Sequence, residues 1–231
     1  MRKRSGMQWL ISVVLYCAGL LCLAFGVAFS ANAGLGISPV NSLPYVIASC
    51  IGREADVGSI VTAVFCFYIL LQFVILRRDF KLFNVLQIFF STLFGYFVTF
   101  SKGVMGSWRI MDGYAGSLIM LAISIIIVAF GVFLYVGVDI IPMPMEGLTM
   151  AIAKKAGKPF AKVKTVVDCS VVIIGLVLSL LVLRDPFRWI REGTVLSALI
   201  TGRLVSVFRR LFGTQVENLA CGTEKIGRAH V

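Results

Sequence analysis

Charge is scarce in this 231-residue chain: 14% of its residues are Asp, Glu, Lys or Arg, while 59% are hydrophobic. Soluble domains carry about 25% charged residues. A globule with so little polar surface cannot cover itself in water, which excludes a soluble domain, a disordered chain and a collagen-like fibre. Histidine is nearly absent, His230 being the single example. With no dependable histidine there is no Ser-His-Asp triad, and P-loop, GxSxG, HExxH and dinucleotide fingerprints are all missing. The sequence is therefore read as no enzyme, with no cofactor and no metal site. The six cysteines show no CxxC or Cys/His spacing. Cys17, Cys22, Cys66 and Cys169 fall in apolar runs, Cys50 in a short segment between runs and Cys221 in the tail. Such cysteines read as small buried hydrophobes, not as a disulfide frame.

What is present is long apolar runs, and a mean hydropathy of +0.96. The expected class is an all-α polytopic membrane protein, residues 1–231 forming a single membrane domain. About six spans of ~20 residues each are expected, at 7–30, 57–76, 83–101, 116–137, 163–183 and 190–209. The first run follows a basic MRKR start as a signal peptide would. It is too long for an h-region and lacks a small-residue cleavage site, so it reads as a retained span. The third and sixth runs are interrupted by Gln87, Gly95, Gly202 and Arg203, which suits helices facing protein more than lipid.

The formal charge is +11, but the basic residues sit in short clusters between apolar runs. That pattern is membrane topology, not a nucleic-acid footprint. With the N-terminus inside, the inner segments hold 15 Lys and Arg and the outer ones 6, or 13 against 6 without Lys225 and Arg228. Both termini are thus expected in the cytoplasm. The lysines at 154, 155, 158, 162 and 164 form a patch suited to anionic lipid headgroups. The closing KIGRAHV (225–231) reads as the translation of a sequencing adapter, an expectation that places the natural C-terminus elsewhere.

The two halves match each other. FGV at 25–27 recurs at 130–132, and PVNSLPYVIA (39–48) aligns with PMEGLTMAIA (144–153) at the same offset. After a two-residue shift, ILRRDF (75–80) aligns with VLRDPF (182–187), and Gly95 pairs with Gly202. The expected architecture is a 3+3 repeat, 7–101 and 116–209. An odd number of spans per copy inverts the second copy in the membrane, as in many transporters. After the first span of each copy, residues 34–56 and 138–162 are apolar yet broken. Pro39, Pro44 and Gly34/Gly36 interrupt the first, and Pro142, Pro144 and Gly147 the second. Each is read as a Pro-broken turn followed by a short interfacial or re-entrant helix.

GLGISPVNSL, PMPMEGLTMAIAKKAGKP, VKTVVDCSVVIIG (163–175) and GTVLSALITGRLV (193–205) together resemble the YczE/YyaS/YitT-like bacterial integral membrane proteins, over roughly residues 8–212. The resemblance implies a multi-span inner-membrane protein and assigns no chemistry. Val40 and Asn41 follow the first proline where that family commonly has an aromatic and an acid, and Arg203 stands where an uncharged residue is usual.

Four residues are candidates for a substrate path. Asp168 lies inside the fifth span, where an acid at the bilayer centre costs at least ~2.5–3.5 kcal/mol and must find a cation, a proton or the bundle interior. Arg203 in the sixth span is expected either to pair with Asp168 or Glu146 or to snorkel toward the cytoplasmic headgroups. Glu146 and Asn41 occupy equivalent repeat positions, suited to lining a central cavity or to capping a helix N-terminus. Asp139 reads as interfacial, and Gln87 as a hydrogen-bonding group between helices. The expected function is a small-molecule or ion transporter, with membrane lipids as neighbours. The alternative is a non-transporting scaffold whose charges lock helices together.

Overall fold

Lipid offers no hydrogen bonds, so each apolar run must satisfy its backbone internally, and the helix is the form that does so within one segment. A computed structural model describes residues 6–221 apart from Lys81, Pro159 and Pro186. The 225–231 segment with His230, and the Arg2-Lys3-Arg4 cluster, lie outside the described residues. Eight α-helices follow in order: α1 (Gly6–Ala33), α2 (Pro39–Cys50), α3 (Val57–Leu76), α4 (Leu86–Met105), α5 (Gly113–Gly137), α6 (Pro144–Ala156), α7 (Phe160–Leu178) and α8 (Glu192–Cys221). No strand occurs among the described residues.

Among the described residues, five segments are long and apolar enough to cross a membrane: α1, Glu54–Asp79 around α3, α4, α5 and Lys162–Leu183 in and beyond α7. The expected sixth span at 190–209 is not among them. The chain there forms one 30-residue helix running on to Cys221, and it does not join that set. The physical reason is charge: only 16 residues separate Glu192 from Arg209, and Arg203 interrupts them. The other five runs sit within a few residues of their expected bounds.

The short helices also form where the prolines indicated. Pro39 opens α2 and Pro144 opens α6, the position where a missing N–H costs nothing and a fixed φ helps. At ~1.5 Å per residue, neither helix reaches across a ~30 Å hydrocarbon core. Pro44 is a correction, for it sits inside α2 and does not break it. It lies far enough from the start to remove only one internal hydrogen bond. The turn into α2 needs glycine at Gly36, whose φ is +99°. A Cβ there would come 2.6 Å from Thr194 Oγ1 and 2.7 Å from the Arg191 nitrogen.

The centre of the protein is the pairing of α1 with α5. Small residues let the backbones meet: a Cβ on Gly131 would lie 2.7 Å from the Gly19 carbonyl oxygen, and one on Gly26 would lie 3.2 Å from that of Ser124. Ser124 Oγ donates to the Gly26 carbonyl at 2.8 Å. Around this pair, α4 packs on α1, α8 on α5, α6 on α3 and α2 on α7. Helices α3 and α4 also pack together, with Gly58 against the Gly95 carbonyl and Phe65 stacked on Phe94 at 5.9 Å. Helices α7 and α8 make no comparable contact.

Gln72 of α3 and Gln87 of α4 exchange hydrogen bonds at 3.0 and 3.3 Å, and Gln72 Nε2 also donates to the Pro144 carbonyl at 3.0 Å. This joins three helices, and both side chains are fully buried. Gln72→Met is expected to cost about 2–5 kcal/mol, because the Gln87 amide and the Pro144 carbonyl each lose a partner worth ~1–3 kcal/mol. Thermal unfolding in detergent measures this, and Gln72→Met/Gln87→Met should recover part of the loss.

At one end of the bundle the connecting segments are tied to each other. Ile37 N–H donates to the Trp189 carbonyl at 3.1 Å and Gly193 N–H to Leu35 at 2.7 Å. Arg188 pairs with Glu54 at 2.8 Å, Trp189 Nε1 donates to Ser49 Oγ at 2.6 Å, and Lys102 donates to the Glu54 carbonyl. At the other end, the described ties between connecting segments reduce to an exposed Lys154–Asp79 pair at 2.8 Å.

Candidate functional site

The gap between α7 and α8 opens into a cavity of about 420 Å³ at the heart of the bundle. Its volume falls in the ~300–1,000 Å³ range of small-molecule sites. The N-termini of both short helices reach it, through Ser38, Pro39 and Asn41 of the first and Met143 and Glu146 of the second. Helix α7 contributes Lys164 and Asp168, and α8 contributes Ser197, Thr201 and Gly202. Phe65, Phe94 and Tyr135 supply much of the remaining wall. A Cβ on Gly202 would meet no atom within 4 Å. By contrast Gly95, which aligns with Gly202 when the two halves of the sequence are compared, is pressed against Gly58.

Three of the four candidates meet here. Asn41 is 4% exposed, and its amide nitrogen donates to Ser38 Oγ at 3.1 Å while Oδ1 has no hydrogen-bond partner. Glu146, in the first turn of α6, lines the cavity beside Tyr135, and its Oε2 is buried with no partner. Asp168 pairs with Lys164 at 2.5 Å, each side chain being 24% exposed. Arg203 is the exception. It is exposed, does not line the cavity, and takes no part in the described ion pairs. Its expected pairing with Asp168 or Glu146 is corrected: one residue beyond Gly202 turns it ~100° around the helix, and Lys164 already serves Asp168.

Lys164, Thr201 and Tyr135 were not singled out from sequence. Lys164 and Asp168 stand four residues apart, the spacing of an on-helix ion pair, and that signal was available. Thr201 Oγ1, buried and without a partner, had none, because nothing in a helical run says which threonine faces a void.

The fold defines a polytopic helical membrane protein, with several apolar helices around a partly open cavity. The chain belongs to DUF6198, a family of unknown function, whose match covers residues 10–210. It is 24% identical to the uncharacterized membrane protein YczE of Bacillus subtilis (strain 168) over 206 residues, 89% of this chain and 86% of that protein. The chain is thus a YczE-like membrane protein. No solved structure matches it.

Proposed function

We propose that the chain is a small-molecule or ion transporter of the bacterial inner membrane, with the cavity as its substrate site and both termini cytoplasmic. One observation carries the reading: Asn41 Oδ1, Glu146 Oε2 and Thr201 Oγ1 are buried without partners, on residues that line one cavity. Buried polar atoms are ordinarily paired, so unspent oxygens converging on an open volume are what a ligand would complete. No catalytic role is assigned to any residue.

The architecture we infer is two inverted copies, 7–101 and 116–209, with α8 as the last crossing. Its support is that the contacts recur when the halves are exchanged. Gly19 against Gly131 becomes Ser124 against Gly26, α1 with α4 becomes α5 with α8, and α3 with α6 becomes α7 with α2. The pair α3–α4 is closed, whereas its counterpart α7–α8 is open. Rocking of one copy would exchange the two, which is alternating access. On this reading the tied loops face outward and the cavity is reached from the cytoplasm.

The second reading is a scaffold whose charged groups lock helices, and the Arg188–Glu54 ion pair between connecting segments, at 2.8 Å, favours it. A thermal-stability screen of the detergent-solubilised protein against ions, amino acids, nucleobases, organic acids and amines separates the two. A ligand at 100 times its Kd adds about 2.7 kcal/mol. A shift that is lost in Asp168→Asn and in the cavity-filling Gly202→Phe supports transport. A flat panel, with a specific protein partner co-purifying, supports the scaffold.

A further inference from the structure

Three oxygens on the cavity are left without a partner and point to what would fill them. The amide nitrogen of Asn41 donates to Ser38 Oγ, and its Oδ1 has no partner. Glu146 Oε2 is likewise buried with no partner. Lys164 gives one N–H to Asp168 at 2.5 Å. An amide oxygen only accepts, a carboxylate oxygen does the same, and the unpartnered Thr201 hydroxyl can accept too. A ligand that donates to all three oxygens would complete them.

Charge points the same way. Two acids, Glu146 and Asp168, and one base, Lys164, line the cavity, and Lys164 is paired with Asp168, so Glu146 is the acid that a cationic ligand would pair with. Phe65, Phe94, Phe160 and Tyr135 line the same cavity, and aromatic faces attract cations.

The opposing consideration is that two helix N-termini reach the cavity, and these favour anions. Both are partly offset. Helix α6 opens on Pro144, which has no N–H, and carries the acid Glu146 in its first turn. Helix α2 opens on Pro39, which has no N–H, and the Asn41 and Ser42 nitrogens donate to the Ser38 carbonyl at 3.0 Å. An anion would meet the acid Glu146 there.

We propose that the cavity binds a small organic monocation carrying N–H groups, a primary or secondary ammonium, with Glu146 as its counter-ion and Asn41 Oδ1 and Thr201 Oγ1 as further acceptors. This rests on the cavity being the ligand site.

The test compares benzylammonium, benzyl alcohol and benzoate, one ring with three head groups, by calorimetric titration of the full-length protein in detergent. Benzylammonium is expected to bind. Glu146→Gln should weaken it about tenfold or more, the worth of a charged hydrogen bond, and Thr201→Val a few-fold. Thr201→Val keeps the side-chain shape and carries the comparison should Glu146→Gln fail to fold. Benzoate or benzyl alcohol binding as tightly as benzylammonium, and blocked by Gly202→Phe, overturns the ammonium assignment while leaving the cavity a ligand site. Benzylammonium binding that survives Glu146→Gln, Thr201→Val and Gly202→Phe unchanged overturns it as well. No binding of any of the three, alongside a flat stability screen, overturns both.

Discussion

Lys164→Met should destabilise the protein by ~2–3 kcal/mol, because it strands the Asp168 carboxylate in an apolar wall; a fully buried pair broken this way costs ~3–5 kcal/mol, and this one is 24% exposed. The double variant Lys164→Met/Asp168→Leu should return to within ~1 kcal/mol of the parent, since no charge is then left alone. Thermal unfolding of the parent, Lys164→Met, Asp168→Leu and the double variant in detergent gives the cycle. A double variant as unstable as the single one would show that the loss comes from packing, not from the stranded acid. The same four proteins bear on function. Asp168 finds its cation on its own helix, so this pair does not join two helices. Stability restored together with lost ligand binding would place the pair in the site.

Gly131→Leu should force apart the central pair of helices, α1 and α5. A Cβ at that position would already lie 2.7 Å from both the Gly19 oxygen and the Leu23 nitrogen, and neither backbone atom can swing aside as a side chain does. Overpacking a well-filled core typically costs ~1–3 kcal/mol; here the whole α1–α5 interface must separate, so ~3 kcal/mol or more is expected. The companion change Gly202→Leu is the control, since its Cβ meets open space, and it should stay within ~1 kcal/mol of the parent. The unfolding midpoints of the two variants, measured side by side, check the contrast. Equal losses at both positions would mean that a bulky residue in any span is tolerated poorly, and that the α1–α5 contact is nothing special.

Helix positions were legible because the bilayer enforces a length and an apolarity that a linear sequence displays directly. Pro39 and Pro144 were legible for a similar reason, since a proline's restriction is carried by its own ring. The cavity was half legible. Asn41 and Glu146 were found through the repeat, and Asp168 through its cost in a span. Lys164 was assigned to the basic patch with its neighbours, although α7 carries it round to the face of Asp168. Arg203 misled because charge in a span invites a partner, whereas on α8 it points out of the fold.

The sequence by itself determined that this is a helical membrane protein, where its apolar helices run, which two short helices begin at proline, and which family resemblance it carries. Those properties depend on each residue's own hydrophobicity, ring or charge, summed along the chain. Only the tertiary structure decided that α3 closes on α4 while α7 stands away from α8, that Gly95 is clasped and Gly202 is not, and that Asn41, Glu146 and Thr201 leave oxygens unspent around one void. These depend on which helix faces fill each other's gaps. That is a property of pairs distant in sequence, and no single run of residues records it.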